Sequence, residues 1–322
     1  RPVGEVAQDA QADCDGEGKL YFIGADHEVT GSLHLLRACG INIAVDVGME
    51  QGQNPYQNAK LPIPYAEIDY ILLTHAHIDH AGMILFAMKN GFNGKIICTK
   101  ATQALAQIML PDSAHIQVSE TEYKNRKARR AGRPLVEPVY DLNDAQAALE
   151  HIQSVDYQEW VELTPGVSLR FTDAGHLLGS ASIELSLEEE GVSKTIVFSG
   201  DIGNFNKPLI RNPQYIHKAD YVVMESTYGD RLHEEQVDHL ADLTQIIQTT
   251  LDRGGNVVLP AFAVGRTQEL LYLIRHIKQE GRVQGHNGFP VYVDSPLAVE
   301  ATHVFRQNLA DCYDEETRRL VE

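Results

Sequence analysis

Three histidines and an aspartate fall within six residues of this chain, directly after an apolar run typical of a buried strand. The run spans Tyr70 to Leu73, and the polar residues that follow it are His75, His77, Asp79 and His80. Residues two apart on an extended chain point to the same side, so His75 and His77 leave the strand together. Imidazole and carboxylate groups suit Zn²⁺, and less specifically Mn²⁺ or Fe²⁺. Two adjacent donor pairs therefore predict a site for two metal ions.

Other apolar strands of the chain also end in a polar residue with glycine nearby. Three later strands lead to His176, Asp201 and Glu225, and an earlier one ends at Asp46. Strand ends gather at one rim of a sheet in α/β folds, and that rim is where such folds build their sites. We therefore expect these four side chains to lie near the histidine motif.

The donors divide into two groups. A first metal would be held by three histidines: His75, His77 and His176. A second metal would take Asp79 and His80, and Asp201 would bridge the two ions. Two such ions lower the pKa of a shared water far below its bulk value, which supplies hydroxide for attack on an acyl or phosphoryl centre. Asp46 is expected to orient the His75/His77 pair from behind.

Composition restricts the function classes. The net charge is 27 minus 45, or −18, so any nucleic acid must be held by a local cationic site and by metals. The four cysteines form no C-x-x-C pair, which favours a reducing, cytoplasmic location and argues against a cysteine-ligated zinc site. No apolar run is long enough for a membrane span, so no membrane partner is expected. Residues 1–18 lack the apolar core of a signal peptide and are predicted to be a flexible leader.

The pattern along the chain changes near residue 230. Residues 19–229 contain many short apolar strands that lead into polar turns. Residues 230–322 alternate helices with strands, and the strands are predicted at Asn256–Pro260 and Pro290–Val293. This βαβ rhythm predicts parallel strands and a second domain, and the whole chain is assigned to the α/β class.

One segment is strongly basic although the chain is acidic. It runs from Lys124 to Arg133, within a region that changes character from about Ser113. A helix is predicted before it, over Ala101–Met109, and another after it, over Leu142–His151. The ordinary interpretation of the basic run is a solvated helix face, and the functional interpretation is an edge that contacts phosphates.

These motifs resemble those of the metallo-β-lactamase superfamily. The segment His75–His80 is similar to its H-x-H-x-D-H signature, and Asp46, His176 and Asp201 match its other core motifs in order and context. The resemblance covers roughly residues 19–229. It implies a four-layer αββα sandwich, followed here by a partial βαβ second domain.

Three further segments resemble the β-CASP domain of RNA-processing nucleases, a family that includes the cleavage and polyadenylation endonuclease. They are Glu225–Arg231, Pro260–Glu269 and Asp294–Ala298. The resemblance implies a zinc-dependent hydrolase that cleaves phosphodiester bonds of single-stranded RNA with a metal-activated hydroxide. Such an enzyme would be an endonuclease or a 5′-exonuclease, and would act as a homodimer or within an RNA-processing complex.

The resemblance also implies roles for individual residues. The expected catalytic residues are Asp79, Glu225 and Asp46, and Glu225 would hydrogen-bond a catalytic histidine. Arg266 and Thr267 open a helix after Gly265, so their guanidinium and backbone N–H groups suit a substrate phosphate. A plain helix start is the alternative for these two residues.

Two histidine motifs of that family are not visible in this sequence. One would supply the catalytic histidine and the other a ligand for the second metal, so both are expected beyond Glu322 in a longer protein. We therefore expect a firm first metal site, a weakened second site and low activity for this fragment. Two other functions stay open: a hydrolase of a small ester, thioester or lactone, and a non-catalytic subunit of an RNA-processing complex.

Overall fold

The computed structural model describes residues 18–52, 60–232, 238–286 and 288–308. The predicted leader lies outside these ranges except for Gly18. Among the described residues, no helix combines the length and the apolar character that a membrane crossing requires.

The first of two sheets contains six strands that lie side by side in chain order. They are β1 (Lys19–Gly24), β2 (Leu33–Ala38), β3 (Ile41–Val45), β4 (Tyr70–Leu72), β5 (Lys95–Thr99) and β6 (Ile152–Val155). Strands β1 to β3 form an antiparallel meander, and β3 to β6 pair in parallel. Parallel neighbours need long crossover connections, which here contain helices.

The second sheet contains five strands in the order β11-β10-β9-β8-β7. They are β7 (Val161–Thr164), β8 (Val167–Asp173), β9 (Ala181–Glu189), β10 (Val192–Phe198) and β11 (Tyr221–Val223). Strands β7 to β10 are antiparallel, and β11 joins β10 in parallel. Gly191, with φ of 79°, forms the predicted hairpin turn between β9 and β10.

The side chains of β4 show how the layers stack. Ile71 and Leu73 point into a core shared with the helices α1 (Ile78–Ala81), α2 (Ile84–Lys89), α3 (Lys100–Arg130) and α4 (Leu142–His151). Leu72, between them, points into a core shared with the second sheet. This alternation is the two-residue period of a strand that is buried on both faces. The helix, sheet, sheet order confirms the predicted α/β class and corresponds to three of the four layers predicted for the αββα sandwich.

Helix α3 is longer than predicted. The sequence predicts a helix that ends at Met109, whereas the structure continues it through Pro111 to Arg130. An internal proline costs about 3 kcal/mol. Leu105 and Leu110 of this helix are fully buried, and each stabilises by about 2 kcal/mol. The packing of α3 against the core therefore outweighs the proline that interrupts its hydrogen bonds.

The region after residue 230 contains the predicted helices but not the predicted strands. The helices are α5 (His239–Asp252), α6 (Arg266–Gln279) and α7 (Pro296–Gln307). The prediction of strands at Asn256–Pro260 and Pro290–Val293 is wrong for the described structure. A strand requires a backbone partner, and neither segment has one among the described residues. Val258 and Tyr292 accordingly stay 83% and 86% exposed.

Candidate metal centre

Four side chains from the ends of three strands converge on one point. They are His75, His77, His176 and Asp201, and one ligand atom of each lies within 4.8 Å of all the others. Nδ1 of His77 is 3.0 Å from Nε2 of His75 and 3.4 Å from Nε2 of His176. Oδ2 of Asp201 is 3.8 Å from His75 and 3.4 Å from His176. This is the predicted first metal group, with Asp201 included.

Hydrogen bonds between the strand-end loops fix this convergence. The loop that carries His176 is closed by Ser180, whose hydroxyl accepts bonds from the N–H groups of His176 and Leu177 at 3.0 and 3.1 Å. The loop that carries Asp201 is joined to it by the N–H of Gly203, which donates to the Ala174 carbonyl at 2.9 Å. The two loops therefore position His176 and Asp201 as one unit.

Asp46 supports the motif through a different residue than predicted. Its buried carboxylate lies 2.7 Å from Nδ1 of His80 and accepts hydrogen bonds from the N–H and hydroxyl of Thr74 at 2.8 and 2.9 Å. The Thr74 hydroxyl is in turn 3.1 Å from Nδ1 of His75. Among the described residues, Asp46 thus contacts His80 directly and is linked to the His75/His77 pair through Thr74.

The three histidines of the group are held in their neutral form. Burial lowers the pKa of His77 to about 4, and the charges of His80 and Lys207 act in the same direction. Burial likewise lowers the pKa of His176 to about 4 and places that of His75 well below its ordinary value. Neutral imidazoles are the form that binds metal ions, so no proton has to be displaced at neutral pH.

His80 differs from the other histidines. Burial alone would lower its pKa, but the carboxylates of Asp46 and Asp201 raise it well above the ordinary value. Its Nε2 lies 3.2 Å from Oδ1 of Asp201. Asp79, whose pKa is raised by burial, lies outside the four-residue group, as does His80. Among the described residues, Asp79 and His80 are therefore not part of the group that converges on one point, and their role as ligands of a second metal stays a prediction.

Glu225 lines a cavity together with Asp201, one member of the metal group. The cavity measures about 580 Å³, and its lining includes Asp46, His80, Asp201 and Glu225. The Glu225 carboxylate accepts a hydrogen bond from the N–H of Ile202 at 2.6 Å, so it is tied to the residue that follows Asp201. The predicted acidic residue is thereby fixed beside the site.

Arg266 and Thr267 form the first turn of α6. Arg266 pairs with Glu269 at 2.8 Å, and the Thr267 hydroxyl donates to the Phe262 carbonyl at 2.7 Å. The preceding Val264 packs in one apolar cluster with Leu177, next to His176. The helix start therefore lies beside the metal loops, while the role of these two residues toward a phosphate stays a prediction.

Three residues that the structure places around the site carried little signal in the sequence. Thr74 directly precedes the histidine motif, and Ser180 closes the glycine-bearing segment after His176. Lys207 is near enough for its charge to lower the pKa of His77 and of His176, but it was not predicted as a site residue from the sequence. Small hydroxyl residues beside glycines are too common in turns to be singled out from sequence.

Asp173, at the end of β8, should make stability depend on pH. Burial raises the pKa of its carboxyl to about 6, from an ordinary value of 3.8. The unfolded chain then loses this proton first, so stability falls as pH rises from about 4 to 6 and stays lower above that. Asp173→Asn should keep the hydrogen bond from the Gly175 N–H and remove the penalty.

We expect Asp173→Asn to raise the free energy of unfolding at pH 7.5 by about 1 to 3 kcal/mol, with little change at pH 4. Urea unfolding in the presence of a chelator measures this difference without a contribution from metal. A gain that is equal at both pH values would contradict the assignment.

Comparison with known proteins agrees with the geometry. Residues 35–206 match the metallo-beta-lactamase superfamily domain, and residues 267–321 match the Beta-Casp domain. Over 87% of its length the chain is 37% identical to "Ribonuclease TTHA0252" of Thermus thermophilus, of which it covers 59%. It is 30% identical to "Transcription termination factor FttA" of Methanosarcina mazei, with 85% of the chain and 40% of that protein covered.

A third relative is "Endoribonuclease YSH1" of Eremothecium gossypii, at 27% identity over 89% of the chain and 36% of that protein. The chain thus spans between about a third and three-fifths of the length of these relatives. The superfamily match includes the histidine motif, His176 and Asp201, and it covers more than half of the chain. The chain therefore belongs to the metallo-β-lactamase superfamily and combines that domain with a β-CASP domain.

Proposed function

We propose that this protein is a zinc-dependent ribonuclease that hydrolyses phosphodiester bonds of single-stranded RNA. The observation that carries the proposal is the convergence of three neutral histidines and one carboxylate at the rim of a metallo-β-lactamase sandwich. The β-CASP match and the ribonucleases among the relatives support RNA as the substrate. The domain division at 19–229 and 230–322 is part of this proposal, because it places each family match within one domain.

The hydrogen bonds around the group support a bound cation. The Thr74 hydroxyl donates to Asp46 and so accepts the Nδ1–H of His75, which leaves Nε2 of His75 without a proton. That nitrogen faces Nδ1 of His77, with the Asp201 carboxylate beside them. A cation placed between these atoms would be attracted to the His75 lone pair and to the Asp201 carboxylate at the same time.

The donor set fits Zn²⁺, and Mn²⁺ or Fe²⁺ less specifically. A divalent ion bound there would lower the pKa of a water and neutralise charge on the attacked phosphate. The second site would be weaker, because His80 has to release its proton before it can act as a ligand with Asp79. Asp46 would hold His80 and Thr74 in place, and Glu225 would present its carboxylate to the cavity.

The remaining roles concern substrate and surroundings. Arg266 and Thr267 would hold a phosphate of the RNA at the start of α6. Cys39 and Cys98 are free thiols, which supports a reducing, cytoplasmic location. Endonuclease versus 5′-exonuclease action, and a homodimer versus an RNA-processing complex, stay predictions from the family resemblance.

The test is cleavage of a labelled 30-nucleotide single-stranded RNA by the full-length protein. We expect cleavage that a chelator abolishes and Zn²⁺ restores, and a loss of at least about 100-fold in the Asp79→Ala/His80→Ala double variant. Opening of a lactone with the RNA left intact would overturn the proposal in favour of a small-ester hydrolase. Failure to hydrolyse either substrate in the metal-loaded state would favour a non-catalytic subunit.

A further inference from the structure

The C-terminal end of α3 concentrates positive charge in an otherwise acidic protein. Residues 124–133 contain six of the 27 lysines and arginines, which leaves 21 against 45 acidic residues elsewhere. We call residues 123–133 the basic tip. All six of its cations are exposed: Lys124, Arg126, Lys127, Arg129, Arg130 and Arg133. A polyanion that meets this protein is therefore repelled by most of the chain and attracted to the basic tip.

Most of these cations have no acidic partner. Lys124 and Arg126 lie 3.7 and 4.0 Å from glutamates one turn earlier in the helix. The other four, within the described part of the chain, form no ion pair. Arg126 and Arg130 are four residues apart, so they repel each other on one helix face. Cations in the last turn do stabilise a helix through its dipole, but that effect does not extend to the turn before. Helix stability alone therefore does not account for this cluster.

The basic tip also has an aromatic surface and a fixed shape. The Tyr123 ring is 51% exposed, with Nζ of Lys127 at 4.4 Å from its centroid. The Asn125 side chain bonds both the N–H and the carbonyl of Val136, at 2.9 and 2.8 Å, which anchors the returning chain against the helix. Exposed cations around an aromatic ring are the combination with which proteins bind single-stranded nucleic acid.

Helix α3 separates the basic tip from the metal centre. At its N-terminus, the hydroxyls of Thr99 and Thr102 donate to the Gly179 carbonyl at 2.7 and 2.8 Å, within the loop that carries His176. Its 31 residues extend for about 46 Å at 1.5 Å per residue. The basic tip is thus not the edge of the catalytic site. At roughly 3.4 Å per stacked nucleotide, about a dozen nucleotides span the length of the helix.

We propose that the basic tip is a second RNA-binding surface, which holds backbone phosphates of single-stranded RNA about a dozen nucleotides away from the metal centre. The proposal rests on the proposed ribonuclease function. It extends that function to a preference for long substrates, because only a long RNA reaches both surfaces at once and gains from binding to the two together.

The test compares two variants of the full-length protein that each remove four positive charges. The tip variant carries Lys127→Gln, Arg129→Gln, Arg130→Gln and Arg133→Gln. The matched control carries substitutions at four exposed lysines elsewhere: Lys19→Gln, Lys60→Gln, Lys95→Gln and Lys218→Gln. Each variant is assayed for cleavage of a 4-nucleotide and a 30-nucleotide RNA, and for binding of the 30-nucleotide RNA between 50 and 200 mM salt.

We expect the tip variant to raise KM for the 30-nucleotide RNA about tenfold and to leave kcat/KM for the 4-nucleotide RNA unchanged. The slope of log affinity against log salt should become shallower by about 2 to 3, since each phosphate contact of a single strand contributes about 0.7. The control variant should keep the parent slope.

Equal RNA binding by the parent and the tip variant would overturn the proposal. Loss of binding to phosphatidylserine vesicles with RNA binding retained would overturn it in favour of a membrane surface. A parent protein that cleaves neither RNA would refute the ribonuclease function alone, because the salt dependence of binding still decides whether the basic tip contacts RNA.

Discussion

Replacing His176 by alanine is expected to lower the affinity of this protein for Zn²⁺ by at least about 100-fold and to abolish hydrolysis. Loss of a residue that merely supports a metal ligand costs about 10- to 100-fold in affinity, and His176 would contribute a ligand nitrogen itself. His75, His77 and Asp201 would remain, but the substitution removes one of the three neutral imidazoles that face the site. Competition with a chromophoric chelator measures the change in affinity.

His217→Ala is the matched control, because His217 is exposed and lies outside the group. It should bind Zn²⁺ as the parent does. A His176→Ala protein that retains zinc with an affinity within threefold of the parent would show that the ion is bound elsewhere.

The second large effect is expected for Gly203→Ala. A Cβ at this position would overlap the carbonyl oxygen of Gly175 and lie 2.7 Å from the backbone N of His176. Neither obstacle is a flexible side chain, so the loop that carries Asp201 has to move away from the loop that carries His176. Forced overpacking of this kind costs about 1 to 3 kcal/mol, and the displaced ligands should weaken zinc binding about tenfold or more.

Urea unfolding and zinc titration of Gly203→Ala measure both effects. Gly18→Ala serves as control, because among the described residues its Cβ would meet Ala38 and Arg37 at ordinary contact distances of 3.6 and 3.8 Å. Parent-like stability and zinc affinity in Gly203→Ala would mean that the two loops are not locked together as described.

The convergence of the metal group could be predicted from the sequence, because the position of a residue along a strand determines where it lies in the sheet. His75 and His77 follow a strand whose side chains alternate, and His176 and Asp201 each follow a strand of the second sheet. Apolar strands are recognised by their pattern, and the sheet then brings their ends to one rim. The convergence of these residues follows from that rule, although their roles as ligands stay proposals.

The hydrogen bonds that support the metal group could not be predicted from the sequence. Asp46 contacts His80 rather than the His75/His77 pair, and Thr74 connects the two. The hydrogen-bond partner of a buried carboxylate depends on side-chain packing within a few ångströms. Local sequence patterns do not determine that packing. The raised pKa of His80 depends in turn on Asp46 and on Asp201, a residue 121 positions later in the chain.

Two errors in the fold came from judging segments in isolation. Pro111 indicates a helix break by local preference, but packing of α3 against the core carries the helix through it. Asn256–Pro260 and Pro290–Val293 have strand-like composition, yet a strand forms only where another backbone pairs with it. Tertiary contacts extended the helix beyond Pro111, and the lack of a pairing backbone among the described residues left the two segments without strand structure.

The most direct test of the central claim is RNA cleavage by the full-length protein in water enriched in oxygen-18. We expect one atom of oxygen-18 in the terminal phosphate of one product, because the attacking oxygen comes from solvent activated at the metal centre. The labelled product should be absent when a chelator is present or when His176 is replaced. A product phosphate without oxygen-18, such as a cyclic phosphate formed by attack of the RNA's own 2′-hydroxyl, would contradict hydrolysis by activated water.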